Sequence, residues 1–163
     1  MSYPAPKYFG TGEATARFPP RRHSPRAPAT RPGGAASYLA TGASTDGRFG
    51  LYRWDMGPDP AGANPHYHRT FSESFFVLSG TVQLYDGKDW LDATPGGFDY
   101  VPEGGIHGFR NESGKPVSLL ILFAPGAPRE AYFEGLVEMA EGRWQPSPEE
   151  LQAFLEQHDN IYV

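Results

Sequence analysis

Between Ser37 and Phe123, short apolar or alternating runs are cut at close intervals by Gly, Pro, Asp or Asn. This punctuation constrains the fold most, because no stretch there is long enough for a helix to bury a face before a turn residue intervenes. Many short strands with frequent turn signals argue for a sandwich or barrel. The pattern predicts strands over 37–41, 48–56, 73–79, 81–85, 98–101, 107–111 and 117–123. Ser44-Thr45-Asp46-Gly47 reads as a turn, Gly80 as a tight turn between two apolar strands, and Asp86-Gly87 as a hairpin signal. Alternation puts Tyr52, Trp54 and Met56 on one face of a strand and Phe49, Leu51 and Arg53 on the other, and leaves open which face is inward.

The flanks differ from this middle. Residues 1–36 hold 7 of the 17 prolines and little apolar periodicity, and they carry a charge of +5 against −5 for the whole chain. This segment reads as an irregular arm, either a mobile tail or an extended segment laid over the acidic body or a partner subunit, since it lacks the aromatic interleaving and motifs of a nucleic-acid binder. After Phe123, Tyr132, Phe133, Leu136, Val137 and Ala140 recur at helical spacing. Ser147-Pro148-Glu149-Glu150 is a capping box with proline at the first helical position, and Leu151, Phe154, Leu155 and His158 follow on one face. The expected organisation is thus an arm over 1–36, a β domain over 37–125 and a helical extension over 126–163. The two helices are expected outside the barrel or across its mouth.

With 163 residues the chain suits one domain. It has no cysteine, so any metal must be held by nitrogen and oxygen ligands. No apolar run approaches the roughly 18 residues of a membrane span, and no apolar leader is visible, so a cytoplasmic protein without membrane contact is expected.

Two stretches carry the chemistry. In Gly62-Ala-Asn-Pro-His66-Tyr-His68-Arg-Thr-Phe-Ser-Glu73, the two histidines are two apart, so on a strand they point to one side. A hairpin after them would return the Glu73 carboxylate toward both imidazoles. In Gly96-Gly-Phe-Asp-Tyr-Val-Pro102-Glu-Gly104-Gly-Ile-His107-Gly-Phe-Arg-Asn111, a Pro/Gly turn starts the strand that brings a third imidazole. His23 and His158 lie outside both stretches and are assigned no role.

These stretches resemble the two conserved motifs of the cupin family. Gly62, His66, His68, Glu73 and Gly80 match the first motif, and Gly96, Pro102, Gly104, His107 and Asn111 match the second. One departure is that three residues separate Gly62 from His66, where the family usually has about five. The resemblance implies an all-β fold, a double-stranded β-helix (jelly-roll barrel), here with two short C-terminal helices. It also implies one divalent transition metal (iron, nickel, manganese, copper, cobalt or zinc) held by His66, His68, Glu73 and His107. By strand alternation, Phe75 and Val77 share a side with Glu73, and Phe109 and Asn111 with His107, which makes these four the expected pocket walls.

The loop after the last barrel strand, with Tyr132 and Phe133 beyond it, resembles quercetinase-like single-domain cupins. That resemblance implies a dioxygenase acting on a small aromatic or enolic molecule, with Glu73 in a second role as general base. The alternatives are non-oxidative isomerase, lyase or cyclase chemistry, or small-molecule binding without turnover. The family resemblance further implies a homodimer.

Overall fold

The computed structural model describes residues 3–5, 9–10 and 34–163. Most of the expected arm, including His23, lies outside the described residues. Ten strands, a 3-10 turn at Gly42–Thr45 and two helices follow in chain order. The strands are β1 (Gly34–Ala40), β2 (Gly50–Met56), β3 (Ala61–Tyr67), β4 (Ser72–Ser79), β5 (Val82–Tyr85), β6 (Trp90–Ala93), β7 (Phe98–Val101), β8 (His107–Asn111), β9 (Val117–Ala124) and β10 (Ile161–Tyr162). Helices α1 (Glu130–Ala140) and α2 (Pro148–Gln157) lie between β9 and β10.

Two antiparallel five-stranded sheets face each other, in the orders β1-β2-β9-β4-β7 and β10-β3-β8-β5-β6. This is the jelly-roll arrangement of a double-stranded β-helix. Strand alternation builds the core between the sheets: Tyr52, Trp54 and Met56 of β2, Phe75 and Val77 of β4, and Leu119, Ile121 and Phe123 of β9 are all buried. The inward face of β2 is thereby settled. Each such large side chain withdrawn from water stabilises the fold by about 1.5–3 kcal/mol. On the opposite face of β4 and β7, Phe76 and Phe98 pair across the strands and stay exposed, as do Leu78 and Tyr100.

Three local expectations are corrected. Ser44-Thr45-Asp46-Gly47 is no simple turn: Gly42–Thr45 forms a 3-10 turn capped by Thr41, and Asp46 ends it in the left-handed conformation. Gly80, at φ +79°, does not close a hairpin between β4 and β5 but carries the chain from one sheet to the other. The link from His68 to Glu73 crosses between sheets in the same way, so the carboxylate reaches the imidazoles across the interior. The Asp86-Gly87 signal does join paired strands, β5 and β6.

The second helix starts at the expected capping box, where Ser147 Oγ accepts from the Glu150 backbone N–H and Glu150 accepts from the Ser147 N–H. Helix α1 docks against the open end of the sandwich. Phe133 sits among Tyr38, Tyr52 and Trp54 at ring separations of 6.1, 5.2 and 5.6 Å. Tyr52 donates its phenolic hydrogen to Glu130 Oε1 at 2.6 Å. Beyond α2 the chain returns as β10, which pairs Ile161 with Tyr67 and Tyr162 with His66.

Candidate metal centre

Four side chains from three strands and one strand end meet between the sheets. His66 on β3 and His107 on β8 are directly opposite each other in the ladder, past a register shift between Ala63 and His66. His68 follows the end of β3, and Glu73 comes from β4 in the facing sheet. All four are buried, and their ligand atoms lie within 4.8 Å of one another. Gly62 allows the close approach of the strands that carry His66 and His107. It sits at φ +148°, and a Cβ there would fall 2.0 Å from the Phe109 carbonyl oxygen.

Each imidazole is anchored at Nδ1 by a backbone carbonyl. The acceptors are Asn64 O at 2.8 Å for His66, Asp159 O at 2.5 Å for His68 and Gly105 O at 2.9 Å for His107. A carbonyl can only accept, so Nδ1 carries the hydrogen and a neutral ring turns its Nε2 lone pair inward. The Nε2 atoms of His68 and His107 lie 2.8 and 2.9 Å from Glu73 Oε2. The Gly104 N–H donates to His68 O at 2.7 Å and so ties the second stretch to the first.

The electrostatics follow from this geometry. Burial pushes the His66 imidazole down to about 4. Burial alone would raise the Glu73 carboxyl, but the rings of His107 and His68, which donate to it from Nε2 when protonated, outweigh that and hold the group below its ordinary range. Burial disfavours the charged form of His107, and the hydrogen bond to Glu73 reverses that and raises it. An ionised carboxylate among inward-facing lone pairs calls for positive charge. Two extra ring protons would supply it at the cost of burying two imidazolium ions, whereas a divalent cation supplies it through the lone pairs. The donor set, three anchored imidazoles and one carboxylate without sulfur, therefore fits a divalent transition-metal ion.

A cavity of about 110 Å³ adjoins the cluster and is lined by His66 and Glu73 together with apolar walls such as Trp54, Phe109, Ile121 and Phe133. Of the four expected pocket residues, Phe109 lines it. Phe75 instead packs between the rings of His107 and Phe109, at 5.9 and 5.6 Å. Val77 is core. Asn111 serves the loops: its amide donates to Gly57 O and Lys115 O at 2.7 and 2.8 Å, and its Oδ1 accepts from Ser113. Residue spacing reported the side of the strand on which these three sit, but not how far along the interior the open space extends.

The remaining wall comes from residues assigned no part in the site from the sequence: Arg129, Tyr132, Leu136, Asn160 and Tyr162. Tyr132, Phe133 and Leu136 were visible as a helical apolar stripe. Nothing in the sequence marked Arg129, Asn160 or Tyr162, because their burial depends on the return of the chain as β10. Tyr162 stacks on His66, ring centroids 5.2 Å apart.

Two facing antiparallel sheets around a buried three-histidine, one-carboxylate cluster define a jelly-roll protein with a candidate metal site. Residues 52–123 match the family model described as Cupin domain, so this stretch of the chain is a cupin domain. It is similar to the quercetin 2,3-dioxygenase of Bacillus subtilis (strain 168), at 31% identity over 91 residues, which cover 53% of this chain and 27% of that one. The chain spans half or less of the length of the curated relatives it matches.

Among solved structures, an RmlC-like cupin from Shewanella frigidimarina is 18% identical with a TM-score of 0.59, covering 72% of this chain and 96% of that chain. A polyketide cyclase from Streptomyces resistomycificus is 21% identical with a TM-score of 0.56, covering 68% and 80%. Both likenesses concern the fold. Among the described residues, no helix is long and apolar enough to cross a membrane.

Proposed function

We propose that this cupin is a metal-dependent oxygenase for a small aromatic or enolic substrate, with one divalent transition-metal ion held by His66, His68, Glu73 and His107. The observation that carries the reading is the convergence of three carbonyl-anchored imidazoles and an ionised carboxylate beside an apolar cavity. The curated name of the Bacillus subtilis relative supports an oxygen-consuming reaction. At about 110 Å³ the cavity is smaller than the ~150 Å³ engineered void that takes up benzene. This is small for a three-ring flavonol.

A bound redox-capable ion would supply Lewis-acid stabilisation of a substrate oxyanion and reactivity toward dioxygen. The chain's own part is to position and to exclude water. Trp54, Phe109 and Phe133 form the apolar walls, and Glu73 is the carboxylate that meets the cavity. The Glu73 carboxylate would accept the proton of an acidic substrate hydroxyl. The test is elemental analysis of wild type and a His66→Ala/His107→Ala double variant, followed by oxygen uptake with small enols and single-ring phenols. About one equivalent of redox-capable metal, lost in the variant, together with oxygen consumed in step with substrate, is the expected result. Turnover without oxygen would move the assignment to isomerase, lyase or cyclase chemistry. Absence of metal after reconstitution would overturn the reading, and full activity in a metal-retaining Glu73→Gln variant would remove the base role.

We also infer pairing with a second copy of the chain, which would cover the exposed Phe76, Leu78, Phe98 and Tyr100. A mass of 17.9 kDa by light scattering would reject it.

A further inference from the structure

Arg129 is the one buried guanidinium among the described residues. It is 4% exposed and lines the same cavity as His66 and Glu73. Nη1 donates to His158 O at 2.6 Å and Nη2 to Asn160 Oδ1 at 2.8 Å. Both acceptors are neutral. Nε is buried and has no hydrogen-bond partner among the described residues. The rings of Tyr132, Phe123, Phe71 and Phe133 surround the group, with Arg129 Cζ 4.2 to 5.8 Å from their centroids. Among the described residues, no carboxylate oxygen lies within 4.0 Å of it.

This is a costly arrangement unless something completes it. A buried cation without a counter-ion, and with an unpaired N–H, is strongly destabilising. Cation–π contacts and two neutral acceptors offset part of that and add no negative charge. Glu73, which shares the cavity, is already engaged by His68 and His107. The carbonyl contacts also fix the guanidinium plane, so its remaining donors are held in place before a ligand arrives. Asn160 is itself positioned by donating to Tyr132 Oη at 2.9 Å.

We propose that Arg129 is the specificity-determining anchor of the cavity, binding the carboxylate of a small monocarboxylate substrate whose apolar body lies against Trp54, Phe109 and Phe133. This deepens the functional reading above and rests on it for the chemistry at the opposite end of the substrate. The carboxylate would supply the missing charge and accept from guanidinium N–H groups not taken by His158 O and Asn160 Oδ1, a planar match that an ammonium group would not reproduce.

The test uses the full chain, as purified and again after chelator treatment with metal content measured. It is titrated with isobutyrate and with its neutral isostere isobutyramide, by calorimetry and by the NMR signal of the Arg129 Nε–H. Isobutyrate should bind at least about tenfold more tightly than the amide in both forms, the scale of one charge-assisted hydrogen bond, and should shift the Nε–H signal. Arg129→Gln should abolish the preference, and Arg129→Lys should keep only part of it. If Arg129→Gln does not fold, the wild-type preference and the Nε–H shift decide the matter. Equal binding of the two ligands, or binding of neither, would overturn the proposal. A carboxylate preference seen only with metal present would place the anion on the metal instead and overturn it equally. Failure of the metal reading would appear separately, as absence of metal, and would leave the preference of the chelated protein intact.

Discussion

The cavity has two walls of different construction. Strands β3, β4 and β8 and the residue just past β3 supply the donor cluster, of which His66 and Glu73 face the cavity, with two of the three imidazoles oriented by carbonyls a short way along the chain, Asn64 and Gly105. The opposite wall comes from residues 129 to 162 and is oriented by side chains and by contacts reaching about thirty residues, such as Arg129 to Asn160. One wall is assembled by strand geometry, the other by the docking of a helix and a returning strand. The exception is His68, whose acceptor is Asp159 O on the far side. The two walls are thus coupled at one imidazole, and disturbing the C-terminal wall should reach the donor cluster through that ring.

The largest expected effect lies in the barrel wall alone. The His66→Ala/His107→Ala double variant should lose metal affinity by more than about 100-fold, beyond what loss of an outer partner costs. Retention of stoichiometric metal would show that the cluster is not the ligand set. The next effect is in the helix. Phe133→Ala, which empties a site among Tyr38, Tyr52 and Trp54, should cost about 3–5 kcal/mol in denaturant unfolding. A change within ±0.5 kcal/mol would mean that α1 does not contribute to the core.

The coupling itself is probed at Asp159. Its carboxylate accepts from the Arg69 and Thr70 backbone N–H groups and from Thr70 Oγ1 at 2.9, 2.8 and 2.7 Å. Asp159→Ala should cost about 1–2 kcal/mol and weaken metal binding about tenfold through His68, measured by chelator competition. Unchanged metal affinity would show the walls to be independent. The smallest effect is a titration. Burial, and then the charge of Arg129, lower His158 below its ordinary value of 6.5. The folded state therefore binds this proton less readily than the unfolded chain. Its contribution to stability is present above about pH 6.5 and is lost as pH falls toward the folded value. An NMR titration placing His158 at or above 6.5 would contradict this.

The same contrast explains how much was legible in the sequence. His66, His68, Glu73 and His107 fall within 42 residues, between turn residues whose spacing limits where the strands can start and stop. β7 and β8 accordingly have the bounds that the pattern suggests. β3 was hidden because Gly62, Asn64 and Pro65 break its alternation. β10 is two residues long and is a strand only because β3 is there to pair with it. The pairing partners of β4 and β5 were misread for a related reason: a period of two is the same whichever sheet a strand joins. Arg129 looks in sequence like any charged residue opening a helix, and its burial is decided by Asn160 and β10 far downstream.

The carbonyl anchors on the three imidazoles have a consequence in time. Rings fixed at Nδ1 surrender their rotational freedom once, during folding, and not again at each encounter with an ion. An arriving ion then finds its ligands already waiting, so capture resembles docking more than assembly. Exchange of one ion for another would then need no new ordering of the three rings.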